Sequence, residues 1–343
     1  MSKEKIRKSR NGSVTLKLDL EENDKTIEMF SRSSGLFCVS KQKILRYRSP
    51  DDLDPSLEHD SVPWEQSIIL PLGSTNYIVA RTILQTSRLI SIFFSETSEK
   101  YKQLSDISWS VMNSLVSLQF IKNRLETQIN EIVEKISNNL DVYTQGNNPK
   151  PLPAVSYYDI EFRSFVNEVR RCLNATSELF PILTKLEFGM KHKSYKENFG
   201  KGNFQKAHQW ASEEFGRNSI LAKMLENDLR WINTWIDIRN AIEHPKHNDY
   251  LETVNFSLEA DRKIRLPTWR FINSKYDMAR PQNLLDVFEI CINNLLKFYE
   301  DLQLTLLDGH LPPIIKIAFE TIPEEQRNPE MPFRYKFSTF ISR

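Results

Sequence analysis

The run Arg239-Asn240-Ala241-Ile242-Glu243-His244-Pro245 gathers three side chains that suit phosphodiester chemistry. A guanidinium grips phosphate oxygens through paired N–H donors. A side-chain amide orients a neighbour, and an imidazole carries a proton near neutral pH, since histidine in general titrates near pKa ~6.5. Together these groups can bind a phosphate, take a proton and return it without a metal.

Their placement depends on one helix, which the pattern puts at about 220–244. The stretch Arg217-Asn218-Ser219 can cap it. At 100° per residue, Leu221, Leu225, Leu229, Ile232 and Ile236 form one stripe, and Met224, Trp231, Trp235, Ile238 and Ile242 adjoin it. Lys223, Glu226, Arg230, Asn233 and Asp237 lie opposite. Arg239 and Glu243 fall inside the apolar arc, where a charge needs a partner. Asn240 and His244 lie at its edge, close enough for a shared hydrogen bond. Pro245 disfavours α conformation at His244, so the helix should stop there. The negative end of the helix dipole favours an imidazolium at that stop.

A plainer reading competes. Arg239 and Glu243 stand at i, i+4 and would pair with each other, leaving His244 as a cap. A metal site built on His244 and His247 is weaker, because Asp249 is the only further ligand type close by and a site needs three or four. No GxSxG elbow occurs, and Cys38, Cys172 and Cys291 have no activating neighbour in sequence. Neither metal nor cofactor is expected. With 9 glycines and no GxxxxGK[ST] or GxGxxG run, phosphate loops are excluded.

Lys plus Arg number 46 and Asp plus Glu 45, so a surface that coats nucleic acid non-specifically is not expected. Contact with RNA would be local. The best local patch is Lys191, Lys193, Lys196, Lys201 and Lys206, with His192 among them; a solvated loop explains the same run. Three distant cysteines suit a reducing compartment. No apolar leader opens the sequence, and the most apolar run, 89–94, is too short to span a bilayer. A cytoplasmic protein with no membrane contact is expected.

The remaining pattern divides the chain. Over 1–75 it is irregular: Val14, Leu16, Leu18 and Leu20 alternate, and prolines stand at 50, 55, 63 and 71, so a strand or two between long loops is expected. Helical spacing then covers 76–96 and 103–141. A helix over 157–188 is kinked by Pro181, and a short helix covers 204–216. Residues 250–273 read as a hairpin, 281–307 as a helix, and 309–343 as a β-hairpin tail. Helices and strands are segregated, which gives a mainly α, α+β fold: a bundle of long helices over 76–308 with an inserted β-hairpin and strands from the two termini.

The spacing Arg239-Asn240-x-x-x-His244 resembles the signature of the HEPN superfamily, Arg-x(4–6)-His with a polar residue, often Asn, directly after the arginine. Its place late in a long helix of an α-bundle, with another long helix following, is similar too. So is the flanking text, which continues past a hairpin to Pro267-Thr268-Trp269 and resembles uncharacterised bacterial HEPN-like proteins. The resemblance covers about 76–308. It implies a metal-independent endoribonuclease, of the kind found in toxin–antitoxin and phage-defence systems, with an antitoxin or defence-system protein as partner. Arg239 would hold the scissile phosphate, Asn240 would orient the histidine or the phosphate, and His244 would act as base on the ribose 2′-OH or acid on the leaving oxygen. A two-fold homodimer would bring two histidines together. Some HEPN toxins carry a tyrosine two residues after the histidine; here that position is Lys246 and the nearest tyrosine is Tyr250. A non-catalytic HEPN-like module for protein interaction or nucleotide binding is the alternative the same resemblance allows.

Overall fold

The computed structural model describes residues 20–341 except 22, 33, 60, 145–149, 185–201, 246–248, 262, 274, 276–279 and 309–314. The fold is α+β, and its contacts group the chain into two compact units, residues 1–105 with 317–343, and residues 106–316.

The first unit begins with four strands, β1 (Thr26–Arg32), β2 (Gly35–Ser40), β3 (Ile44–Arg48) and β4 (Glu65–Leu70). They form an antiparallel sheet in chain order. This corrects the expectation of a strand or two. Cys38, Val39, Ile44 and Leu45 are all buried, so β2 and β3 lack the alternation that marks a half-exposed strand. Gly35, at φ +125°, lets the chain enter β2, because a Cβ there would clash with the Tyr47 carbonyl oxygen. Pro50 opens α1 (Pro50–Leu53), where its missing N–H costs nothing, behind a Ser49–Asp52 capping box. A continuous helical stretch follows: α2 (Tyr77–Val79), one π turn (Ala80–Leu84) and α3 (Gln85–Ile90). Asn76 caps it through the Ile78 N–H at 3.0 Å. The alternating Val14 to Leu18 lie outside the described residues.

The long helix α4 (Glu99–Ser137) gives its first turns to this unit and the rest to the second. After α5 (Leu140–Thr144) come α6 (Tyr158–Ser177) and α7 (Leu179–Leu183). The single helix expected over 157–188 is thus two, broken at Glu178. Pro181 sits in the first turn of α7, where a helix has spare N–H groups and a proline is tolerated. Next are α8 (Phe204–Phe215) and α9 (Ile220–Glu243), which packs on α6 and α8.

The predicted hairpin is formed by β5 (Asp249–Val254), β6 (Ser257–Leu258), β7 (Ile264–Arg265) and β8 (Thr268–Asn273). β5 and β8 pair antiparallel from Asp249↔Asn273 to Val254↔Thr268, and β6 pairs with β7 beyond them. β9 (Gln282–Asn283) adds to β8 and leads into α10 (Leu284–Asp308), which packs on α6, α7 and α9. The core here is aromatic. Phe165 stacks on Phe288 with ring centroids 3.5 Å apart, and Phe162 and Trp235 lie 5.2 and 6.2 Å from Trp269.

The last strands, β10 (Ile315–Thr321) and β11 (Tyr335–Ile341), pair as a sheet of their own. The strands near the two termini and those of the inserted hairpin thus lie in separate sheets among the described residues.

Candidate functional site: the end of α9

The helix carrying the cluster forms as the pattern requires. The Ser219 hydroxyl accepts the Ala222 N–H at 3.2 Å, and Leu221, Leu225, Leu229, Ile232, Trp235 and Ile238 are buried. At the other end the His244 N–H donates to the Asn240 carbonyl at 2.8 Å, and His244 leaves the helix at φ −133°, ψ 64°, just before Pro245.

Arg239 makes the pairing that its spacing suggests. Its Nη2 lies 2.5 Å from Glu243 Oε1, with the two side chains 32% and 35% exposed. The arc expected to be buried therefore opens to solvent in its last turn. An exposed pair of this type contributes about 0.3–0.5 kcal/mol. Nη1 reaches Asn240 Oδ1 in a long contact of 3.4 Å, and Nε is buried with no hydrogen-bond partner among the described residues. Asn240 thus turns its acceptor to Arg239, and its only bond to His244 among the described residues is main-chain. The His244 ring is exposed.

Two arginines of α6 belong to this site and were not singled out from the sequence. Burial and, second, the nearby Arg239 guanidinium hold the Arg170 pKa below the ordinary arginine value. Its Nη1 donates to the Gly202 carbonyl at 3.2 Å. The second cause puts the Arg170 and Arg239 groups within electrostatic reach of each other where α6 packs on α9. Arg163 reaches the Ile242 carbonyl at 3.5 Å, on the last turn of α9. Positions 163 and 170 are two helical turns apart, and both fall off the face that buries Phe162, Phe165, Val166 and Val169, but that spacing does not say that α6 meets α9.

The lysine patch divides. Lys206 is exposed on α8, where its main-chain N–H donates to Asn203 Oδ1 at 3.2 Å. Lys191, Lys193, Lys196 and Lys201 lie outside the described residues, as do Lys246 and His247. Asp249, proposed beside His247, accepts from Asn273 Nδ2 at 2.7 Å. No group of three or more His, Cys, Asp or Glu suited to a metal forms among the described residues. The three thiols are buried and free. Burial pushes Cys172 up to about 12 and Cys291 well above the usual thiol range, the reverse of an activated nucleophile. Among the described residues, no helix is long and apolar enough to cross a membrane.

The end of α9 is therefore a solvent-reached turn that carries the Arg239–Glu243 pair and an exposed His244, with Arg163 at the Ile242 carbonyl and Arg170 within electrostatic reach of Arg239. Comparison with family models, curated proteins and solved structures yields no match to this chain.

Proposed function

We propose that the end of α9 is the active site of a HEPN-like, metal-independent endoribonuclease, acting as a toxin or phage-defence effector. The observation that carries the reading is the pair Arg170 and Arg239. Two guanidinium groups within electrostatic reach of each other on two packed helices suit a bound anion. A scissile phosphate is such an anion, and Arg163 beside the last turn extends the cationic rim.

In this reading Arg239 binds the non-bridging phosphate oxygens and Asn240 fixes the guanidinium plane. His244 takes the proton of the ribose 2′-OH. The 2′-oxygen attacks phosphorus, the 5′-oxygen leaves and is protonated, and the products end in a 2′,3′-cyclic phosphate and a 5′-OH. One chain supplies one such histidine, so a two-fold homodimer would supply the second for acid and base roles together.

The Arg239–Glu243 pair favours a second reading, a non-catalytic HEPN-like module for protein interaction or nucleotide binding, because the guanidinium is already neutralised within its own helix. One experiment separates them: purified protein with single-stranded RNA in the presence of EDTA. The enzyme cleaves, and Arg239→Ala and His244→Ala each lower the rate at least ~100-fold while the circular dichroism spectrum is unchanged. A folded wild-type protein that leaves the RNA intact removes the catalytic reading.

A further inference from the structure

On the neighbouring face of α9 a cavity of about 360 Å³ opens between α9, α10 and β8. Its size falls within the range of small-molecule pockets, roughly 300–1,000 Å³. Trp231, Trp235 and Trp269 form its walls, with Ile290 on the α10 side and Arg230 and Asn294 among the polar residues. Four observations say what it holds.

First, the walls are rings. Trp235 and Trp269 are stacked, 29° apart with centroids 6.2 Å from each other, and together give the cavity an aromatic wall. Flat apolar surface of this kind favours a planar aromatic guest. Second, Trp269 is 1% exposed, and its Nε1 has no hydrogen-bond partner among the described residues. A buried donor left unpaired is costly, about 1–3 kcal/mol. The other wall differs, since Trp231 Nε1 donates to Asp228 Oδ1 at 2.7 Å. Third, the Arg230 side chain is exposed and has no ion-pair partner among the described residues. Fourth, Ile290 is 58% exposed, a large apolar side chain left facing water.

We infer that this cavity binds a planar aromatic small molecule that carries an anionic substituent. The ring lies against the indoles and Ile290, an acceptor on its edge takes the Trp269 N–H, and the anionic group meets Arg230. The cavity needs no part of the Arg239 cluster, so the site stands or falls apart from RNA cleavage.

The test is quenching of tryptophan fluorescence in the full-length protein, with adenosine 5′-monophosphate and anilinonaphthalene sulfonate as probes. Saturable binding is expected for at least one of them with Kd about 10–1,000 μM. Ile290→Arg, at an exposed position, should block entry and weaken binding at least ~10-fold. Trp269→Phe keeps a ring but removes the donor and should weaken binding ~3–10-fold. His244→Ala should leave it unchanged. The absence of saturable quenching by both probes overturns the proposal. So does binding that survives Ile290→Arg and Trp269→Phe alike. Sedimentation supplies the last arm: a dimer that Ile290→Arg dissociates, in a protein that binds neither probe, assigns the cavity to a second copy of the chain and overturns a small-molecule site.

Discussion

At the residue scale the central question is what Arg239 is bound to. The i, i+4 spacing foretold the pair with Glu243, and the pair forms. What one helix could not reveal was Arg170, because its proximity arises only when α6 packs on α9. Glu243→Gln separates the two roles of the guanidinium. It removes the carboxylate, so stability should fall by no more than about 0.5 kcal/mol in urea unfolding. In the enzyme it also frees Arg239 for phosphate, and RNA affinity should rise several-fold. An RNA affinity that is unchanged or lower would mean that Arg239 serves only its own helix. A second titratable residue makes a separate prediction. Glu28 accepts the Ser87 hydroxyl at 2.6 Å, and Ser87 in turn lies 3.1 Å from the Tyr101 hydroxyl. Burial raises the Glu28 pKa, only partly offset by the Ser87 hydrogen bond and Arg88. An acid whose folded pKa exceeds its unfolded value adds stability at pH below the unfolded value. That stability is lost as pH rises through the folded pKa. Glu28→Gln should therefore gain on wild type between pH 4 and pH 7, when urea midpoints are compared. A gap that narrows over that range contradicts the assignment.

At the element scale, legibility followed burial. Helices with one buried face announced themselves through three-and-four spacing, and α9 ended at His244 because Pro245 forbids continuation. The hairpin was legible because Val254, Phe256 and Leu258 alternate before the turn at 260–263 and Ile264 and Leu266 resume after it. β2 and β3 were not, since consecutive residues are buried. The contact that holds the C-terminal strands was equally hidden. Gln85 on α3 offers Oε1 to the main-chain N–H groups of Arg334 and Tyr335 at 2.8 and 2.9 Å, across about 250 residues of sequence. The Ser74 hydroxyl adds a bond to the Glu330 carbonyl at 2.7 Å, and Arg88 lies 4.7 Å over the Phe333 ring. A glutamine at a buried helix position looks like an error in the apolar pattern until its two donors are known. Gln85→Ala leaves both N–H groups without that acceptor and should cost roughly 2–4 kcal/mol. Limited proteolysis checks it, with cutting expected first near β11 in the variant. Equal protection of variant and wild type would show that other contacts hold the hairpin.

At the scale of the whole molecule, charge is the property that sequence and structure read differently. A net charge of +1 argues against a broad nucleic-acid surface. It says nothing of Arg170 and Arg239 within electrostatic reach on two packed helices, or of Arg163 beside the last turn of α9. The two descriptions agree if RNA is held locally, and salt dependence measures that locality. Each phosphate neutralised on a single strand contributes about 0.7 to the slope of log affinity against log salt. Contacts from Arg163, Arg170 and Arg239 alone give a slope near ~2. Engagement of Lys191, Lys193, Lys196, Lys201 and Lys206 as well would raise it to ~5 or more. Binding of a non-cleaved RNA analogue, measured from about 50 to 300 mM salt, therefore decides whether the lysine segment is part of the interface. We expect the shallow slope, because the paired arginines belong to packed helices whereas Lys206, the one described lysine of that segment, is exposed on α8. A steep slope that falls when the lysines are neutralised would extend the RNA surface well beyond the end of α9. A slope near zero would remove phosphate binding from that end altogether, and with it the reading of Arg239 as a catalytic group.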